Sequence, residues 1–219
     1  IVNMPNQNKS IEQSRAVRKT VAIILLCLAI ILILFVHRLS MDRILSPKEM
    51  VANGAVIFST PRELSSFKLL NQNNQTVDNS ILKNKWSFVF FGFTYCPDIC
   101  PATLSVLSDF SDSLTESDYF YDTNFIFVSL DPARDDPASL KSYVEYFNPN
   151  FYGITGEFLD LHRFSKQLNV AFQKVVTDAE NGNYTIDHSG HIALINPEGY
   201  FQGYYLSLIH ISEPTRLAT

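Results

Sequence analysis

The sequence predicts an α/β sandwich with a mixed central sheet, preceded by one N-terminal transmembrane helix. Three observations support this fold class. Residues 20–36 form an apolar run without a charge, and such a run is at the short end of the roughly 17–25 residues that cross a bilayer as a helix. Strands and helices then alternate along residues 61–205, and that segment ends in a hairpin. Alternation of this kind places the strands side by side in one sheet with helices packed against it.

The composition of the chain limits the classes of protein to which it can belong. The chain has 219 residues, a formal net charge of −5 and three cysteines. An acidic balance does not provide the basic surface that nucleic-acid backbones require, so we expect no nucleic-acid partner. Three cysteines are too few for a disulfide-rich scaffold. Once the N-terminal helix is set aside, roughly 150 residues remain, which is enough for one domain with a single core.

The N-terminal segment predicts both a membrane anchor and its direction. Residues 1–19 precede the apolar run, and their charged residues are mostly basic: Lys9, Arg15, Arg18 and Lys19 against Glu12. By the positive-inside rule, this segment stays in the cytoplasm. We therefore expect a single-pass protein of the bacterial inner membrane, with residues 37–60 as a linker and the soluble domain in the periplasm. A cleaved signal peptide is the alternative, but no small-residue cleavage site follows the apolar run.

The soluble part, residues 61–205, predicts a thioredoxin-like, three-layer sandwich. Two apolar runs, at residues 85–93 and 125–130, have no polar face, as is typical of central strands covered on both sides. Helical spacing of apolar residues follows each run, and Asp136 and Pro137 supply an N-cap and an N1 proline for the second helix. The remaining predicted elements are a helix at residues 158–168 and strands at residues 171–177, 192–196 and 200–205. This order of elements is typical of a thioredoxin-like domain.

The last segment, residues 206–219, is expected to be foreign to the protein. It resembles an in-frame translation of a sequencing adapter more than the end of a folded domain. We therefore expect the native sequence to stop near Tyr205. For the same reason, His210 is excluded from the candidate ligands.

Two cysteines mark the candidate site, at the junction between the first central strand and the helix that follows it. Cys96 and Cys100 are four residues apart in the segment TYCPDICP, a spacing that places both thiols on one helical face. The N-terminal end of a helix lowers the pKa of a nearby thiol, and two soft thiolates suit Cu(I). Three intervening residues, instead of the two of the common redox motif, argue against ordinary thioredoxin activity. An inert local disulfide is the remaining structural interpretation.

A copper site of this kind needs a third ligand, and the soluble domain offers three histidines. His162 lies on a predicted helix, where a surface role is more common, and His191 begins a predicted strand. His188 lies in a predicted loop with Asp187 before it. A carboxylate often orients a ligating imidazole from outside the coordination shell. The spacing therefore favours His188, with Asp187 beside it, but leaves the choice open.

The same segments resemble the Sco/SenC family of membrane-anchored, thioredoxin-like copper proteins, which assist assembly of the CuA centre of cytochrome c oxidase. The resemblance covers about residues 67–205. It rests on three stretches: KW at 85–86 leading to FFGFTYCPDICP at 90–101, SLDP and RD within 129–135, and DHS at 187–189. The resemblance implies that Cys96, Cys100 and His188 bind copper. The family continues with a final helix after the last strand, and this helix is expected to be missing here.

The resemblance implies a copper(I) metallochaperone more than an enzyme, although the enzyme class stays open. In this interpretation, Cu(I) passes from two thiolates and one imidazole to the copper subunit of cytochrome c oxidase or to another copper carrier. The alternative is a thiol–disulfide oxidoreductase that reduces the thiols of a partner protein, with Cys96 as the attacking thiol and His188 incidental. A peroxidase is a weaker interpretation. A structural zinc site is also weaker, because such a site is closed by four protein ligands and the sequence offers no convincing fourth.

Overall fold

The structure is a computed structural model that describes residues 7–39, 45–115, 122–178 and 180–206. It divides into two compact units, residues 1–45 and residues 46–219. Residues 207–219, which belong to the segment expected to be foreign, lie outside the described residues. The prediction about the origin of that segment therefore stays a prediction.

The first unit consists of one long helix, α1 (Gln7–Leu39). Its segment Val17–Arg38 has 22 residues and a mean hydropathy of 3.0, so it is long and apolar enough to cross a membrane. The span predicted at residues 20–36 lies within this segment. None of its most apolar stretch is buried, as expected for side chains that face lipid instead of a protein core.

Strands and helices alternate through much of the second unit. Its helices are α2 (Pro47–Ala52), α3 (Ile99–Leu114), α4 (Pro137–Phe147) and α5 (Phe158–Gln167), with a 3₁₀ turn at Asn79–Leu82. Its strands are β1 (Ala55–Arg62), β2 (Leu69–Asn71), β3 (Thr76–Val77), β4 (Trp86–Gly92), β5 (Thr123–Ser129), β6 (Tyr152–Thr155), β7 (Phe172–Asp178), β8 (Asn183–His188), β9 (Ile192–Ile195) and β10 (Phe201–Tyr205).

Eight of these strands form one mixed sheet in the order β1-β10-β9-β4-β5-β6-β2-β3. The central strands β4, β5 and β6 are parallel, whereas the pairs on either side of them are antiparallel. The mixed sheet and the closing hairpin β9–β10 confirm the sequence prediction. Because β4 lies in the middle of the sheet, the cysteine segment begins at the end of a central strand.

Aromatic side chains build the core around β4 and β5. Both strands are buried on both faces beyond their first residue, which explains why their sequences show no polar face. Phe88 stacks on Phe125 with ring centroids 5.4 Å apart, and Phe90 lies 6.0 Å from Phe127. Each such buried side chain contributes about 1.5–3 kcal/mol. The two strands therefore form a rigid base for the segments at their C-terminal ends.

The folded domain begins earlier than the sequence predicts. Residues 37–60 are predicted as a linker, but α2 and most of β1 lie within that range, and β1 pairs with β10 in the main sheet. Pro61 lies inside β1, although proline interrupts most strands. It is tolerated in β1 because β1 is an edge strand with a neighbour on one side only. The predicted boundary between linker and domain is therefore placed too late.

A second sheet consists of two strands, β7 and β8, and it is separate from the eight-stranded sheet. The sequence predicts β7 but places residues 186–191 in a loop. The turn between the two strands contains Asn181 and Gly182, and Gly182 has a φ of +68°, which glycine adopts without strain. This Asn-Gly pair is a hairpin signal that the sequence analysis missed. As a result, His188 is the last residue of a strand and not a loop residue.

Candidate metal centre

The cysteine segment connects the end of β4 to the start of α3. A turn precedes the helix, since the N–H of Cys96 donates to the carbonyl of Phe93 at 3.1 Å. The helix begins at Ile99 with Asp98 at its N-cap position, so Cys100 lies in the first turn and Cys96 lies before it. The prediction that both cysteines share a helical face is therefore wrong for Cys96. The turn still brings them together, because the backbone N–H of Cys100 donates to Sγ of Cys96 at 3.4 Å.

Three side chains that are distant in sequence converge at this segment. Sγ of Cys96, Sγ of Cys100 and a ring nitrogen of His188 lie within 4.8 Å of one another. Sγ of Cys100 lies 3.8 Å from Nε2 of His188. Both cysteines are free and buried, with Cys100 fully buried, and His188 is partly buried. The fold therefore brings the three predicted ligands together.

The imidazole of His188 is fixed by a backbone contact and by two aromatic rings. Its Nδ1 lies 3.1 Å from the carbonyl oxygen of Ser189. A carbonyl oxygen only accepts, so Nδ1 carries the proton, and Nε2 of the neutral ring is left with a free lone pair on the side of the thiols. The rings of Phe90 and Phe93 stand edge-on to the imidazole, with centroids 6.3 and 6.1 Å away. The protein therefore presents an oriented nitrogen donor.

Asp187 does not orient the imidazole in the way the sequence predicts. It is exposed, and successive residues of a strand such as β8 point to opposite faces. The contact on Nδ1 comes instead from the Ser189 carbonyl. The charge of Asp187 raises the pKa of the imidazole, but burial and the Ser189 carbonyl affect this pKa more strongly. The predicted carboxylate contact is thus replaced by a backbone contact.

Burial sets the protonation of the centre. Burial raises the pKa of the Cys100 thiol well above its ordinary value, and the hydrogen bond with Cys96 raises it further. The predicted activation by the helix end is therefore wrong for Cys100, because desolvation of a buried sulfur outweighs the helix dipole. Burial lowers the pKa of His188, against opposing effects of the Ser189 carbonyl and the charge of Asp187. At neutral pH, the centre presents a neutral imidazole and a protonated Cys100 thiol.

The other candidate histidines are used elsewhere in the fold. His191 is buried, and its Nε2 lies 3.0 Å from the carbonyl oxygen of Leu168, to which it donates. His162, on α5, stacks on the ring of Phe158 and stands edge-on to that of Phe172. Of the three domain histidines considered from the sequence, only His188 joins the cysteines, and His210 lies outside the described residues.

A buried carboxylate ties the cysteine segment to the centre of the sheet. Asp135 lies between β5 and α4 and is fully buried. It accepts hydrogen bonds from the backbone N–H and the hydroxyl of Thr94, at 2.9 and 2.5 Å, and from the hydroxyl of Ser129 at 2.6 Å. The sequence analysis missed this network, because Thr94 and Asp135 are 41 residues apart and no local spacing links them.

Gly92 makes room for the Cys100 thiol at the end of β4. A Cβ atom at this position would stand 2.7 Å from Sγ of Cys100 and 2.8 Å from a ring carbon of Phe127. Both distances are shorter than real Cβ contacts, so a side chain here would displace the thiol or the ring. Glycine in a strand often marks such a close approach. The position of Cys100 therefore depends on the residue that ends the strand.

Comparison with known proteins assigns the family of this chain. The model of the family described as SCO1/SenC matches residues 59–215. The chain belongs to the SCO1/SenC family. The match begins inside β1, which agrees with the earlier start of the domain. It also reaches into the segment expected to be foreign, whose origin stays a prediction.

Relatives in the SCO1/SenC family share both sequence and fold with this chain. A protein of Stutzerimonas stutzeri that is named for copper binding is 36% identical over 181 residues, covering 82% of each chain. The copper-bound crystal structure of Arabidopsis thaliana ScoI has a TM-score of 0.60 and 32% identity, over 64% of this chain and 86% of that one. Yeast Sco1 with copper bound gives a TM-score of 0.60 and 31% identity, over 69% and 86%. These likenesses confirm the predicted thioredoxin-like sandwich.

Proposed function

We propose that this SCO1/SenC protein is a copper(I) metallochaperone that binds its ion through Cys96, Cys100 and His188. The observation that carries the proposal is the convergence of two thiol sulfurs and one imidazole nitrogen within 4.8 Å. Cu(I) prefers soft sulfur ligands and accepts imidazole, whereas hard oxygen ligands suit other ions. The copper-bound structures of two relatives support copper as the metal for this chain.

The donor set fits Cu(I) better than zinc. In the part of the chain that the structure describes, no fourth histidine, cysteine or carboxylate joins the group, whereas a structural zinc site is closed by four protein ligands. Nε2 of His188 has no proton to lose in the neutral ring, so it is ready to bind a cation. The two thiols each lose a proton when they become ligands. Cu(I), a monovalent ion bound by three ligands, therefore matches the two thiols and one imidazole of the centre.

Transfer of the ion requires access for a partner protein. Cys100 is fully buried, whereas Cys96 is 9% exposed and its neighbour Tyr95 is 65% exposed. A thiol of the partner therefore reaches the ion from the side of Cys96, and the ion passes by exchange of ligands without a bond-making step. The resemblance to the Sco/SenC family supports the copper subunit of cytochrome c oxidase, or another copper carrier, as the recipient.

The location of the protein follows from α1 and the charges before it. The apolar segment Val17–Arg38 has the length and composition of a membrane span, and it supports a single-pass anchor. Basic residues precede the span, so the N-terminus stays in the cytoplasm and the copper domain lies on the other side. In a bacterium, this arrangement puts the anchor in the inner membrane and the copper domain in the periplasm.

The site geometry disfavours the thiol–disulfide oxidoreductase. Disulfide exchange starts from an accessible thiolate, whereas Cys96, the attacking thiol in that interpretation, is only 9% exposed. An oxidoreductase also leaves His188 without a role, although its Nε2 lies 3.8 Å from the Cys100 sulfur. A reductase assay on an oxidised partner peptide, in the absence of copper, separates the two functions. Full turnover by His188→Ala would favour the oxidoreductase.

The substitution His188→Ala tests the proposed ligand set. We expect the Cu(I) affinity to fall by more than the roughly tenfold that loss of an outer-shell partner costs, because one donor of three is removed. Competition with a Cu(I) chelator measures this affinity. His162→Ala is the matched control, since it is the same substitution at a histidine outside the centre. Equal affinity and stoichiometry in wild type and His188→Ala would exclude His188 as a ligand.

The pH dependence of copper binding follows from the pKa shifts at the centre. Because burial raises the pKa of Cys100, the thiol keeps its proton near neutrality and Cu(I) must displace it. The affinity should therefore rise with pH, by about tenfold per unit for each proton released. Burial lowers the pKa of His188, so the imidazole contributes little to the proton release in the neutral and alkaline range. Wild type and His188→Ala should give parallel slopes there, and a flat profile would contradict the assignment.

A further inference from the structure

We propose that Arg134, Asp131 and Tyr184 form a latch that holds His188 over the cysteine pair. The inference rests on the proposed copper site and gives the three latch residues a positioning role. Topology creates the need for such a device, because β8 carries His188 in a two-stranded sheet separate from the eight-stranded sheet whose central strand leads to the cysteines. Residues 189–191 connect β8 to β9, which pairs with β4, and side-chain contacts between the hairpin and the cysteine segment add to this connection in setting the distance between the imidazole and the thiols.

Arg134 and Asp131 connect the segment after β5 to the β7–β8 hairpin. Nη1 of Arg134 donates to the carbonyl of Tyr184 at 3.1 Å, and the guanidinium carbon lies 3.8 Å from the centroid of the Tyr184 ring. Nε of Arg134 donates to the Asp131 carboxylate. The other carboxylate oxygen accepts from the Tyr184 hydroxyl at 2.8 Å. The three side chains thus form a closed set of contacts on the strand that carries His188, four residues before it in β8.

The same guanidinium also covers the cysteine segment. It lies 4.9 Å from the ring centroid of Tyr95 and 5.8 Å from that of Phe93. The Phe93 ring in turn stands edge-on to His188, 6.1 Å away. A cation over an aromatic face is attracted by it, and the planar guanidinium of arginine stacks and donates hydrogen bonds at once, which lysine does not. Arg134 therefore contacts both halves of the metal centre.

The burial of the latch argues for more than a surface ion pair. The side chain of Asp131 is 4% exposed and that of Arg134 is 25% exposed. Nη2 of Arg134 is buried without a hydrogen-bond partner among the described residues, and an unsatisfied buried donor is unfavourable. An ion pair at the surface would leave no such donor buried without a partner. The observed arrangement instead places the cation between the hairpin and the cysteine segment.

The substitution Arg134→Met tests the latch by copper affinity. We expect a loss of about 10–100-fold, as for other partners that orient a ligand, in the full chain titrated with Cu(I). In a His188→Ala background, Arg134→Met should cause a clearly smaller loss, because the latch acts chiefly through the imidazole. Arg62→Met is the matched control, since Arg62 also lies over two aromatic rings, those of Phe58 and Phe201. It should leave the affinity unchanged.

The metal-free protein supplies a second measurement that does not depend on copper. Arg134→Met should raise the hydrogen-exchange rates of the β8 amides and weaken the nuclear Overhauser contacts between the rings of His188 and Phe93. Exchange in β4 and β5 should stay at wild-type rates. Tyr184→Phe is the second variant, because it removes the hydroxyl bond to Asp131 and leaves the charge pair intact. It should change both quantities in the same direction by a smaller amount, even where Arg134→Met fails to fold.

The outcomes separate the latch from the copper site on which it rests. Wild-type exchange, ring contacts and affinity in both latch variants, together with weaker binding by His188→Ala, would overturn the latch and leave the copper site in place. An equal loss from Arg134→Met with and without His188 would assign a merely structural role and would also overturn the latch. Unchanged binding by His188→Ala would overturn the copper site, and the metal-free measurements would still decide the latch.

Discussion

Cys100→Ser is expected to abolish high-affinity Cu(I) binding. The sulfur of Cys100, a fully buried residue, lies 3.8 Å from Nε2 of His188 and within 4.8 Å of Sγ of Cys96. A serine hydroxyl is a hard, protonated oxygen that Cu(I) does not favour. We expect a loss greater than the roughly 10–100-fold that removal of an outer-shell contact costs. Copper content after dialysis and chelator competition measure this loss.

The third cysteine provides the control for this prediction. Cys27 lies in α1 and is exposed there, so Cys27→Ser makes the same chemical change away from the metal centre. The variant should bind copper with wild-type affinity and stoichiometry when the full chain is titrated in detergent. Retention of affinity within about tenfold by Cys100→Ser, a difference of 1.4 kcal/mol, would show that Cys100 is not a principal ligand.

The cysteine pair was predictable from sequence because its signal is local. An apolar strand, two thiols four residues apart and a following helix pattern all lie within a short stretch, and they place the pair at a strand end. The conformation of Cys96 was not predictable, because the helix begins at Ile99 only after a turn closed by Phe93. The protonation of Cys100 was also missed, since burial outweighs the helix end and depends on the whole fold.

The sequence around His188 favours it among the three histidines but leaves the choice open, and the family resemblance points to it more strongly. The Asp187 carboxylate suggested an orienting contact that the Ser189 carbonyl makes instead. The strand that carries His188 depends on the turn at Gly182. Recognition of that turn would have predicted β8, but the meeting with thiols 88 residues earlier requires the complete topology.

The residues that hold the site in place carry the weakest sequence signal. Arg134 and Asp135 lie side by side in the segment between β5 and α4. In the fold they point to different partners: Arg134 contacts the hairpin through Tyr184, and Asp135 contacts the cysteine segment through Thr94. Adjacent residues in one short segment thus reach both halves of the centre, and only long-range packing reveals this.

Asp135→Ala is expected to cost the largest amount of stability of the substitutions considered. The carboxylate is fully buried and accepts from Thr94 twice and from Ser129 once. Hydrogen bonds to a charged group contribute about 1.5–3 kcal/mol each, and orphaned buried donors are costly. Because these contributions are not additive, we expect the free energy of unfolding to fall by about 3 kcal/mol. Urea unfolding of the metal-free protein measures this change.

Two matched variants make the prediction specific to the buried network. Asp136→Ala removes the neighbouring carboxylate, which caps α4 from an exposed position by accepting from the N–H of Ser139, and its effect should be clearly smaller. Asp135→Asn keeps an oxygen for the N–H of Thr94 and the hydroxyl of Ser129, while its amide donates to the Thr94 hydroxyl, which also accepts. It should therefore retain much of the stability that Asp135→Ala loses. Equal losses for Asp135→Ala and Asp136→Ala would mean that the carboxylate is not what ties the cysteine segment to the sheet, and that the thiol pair depends on packing against β4 and β5 alone.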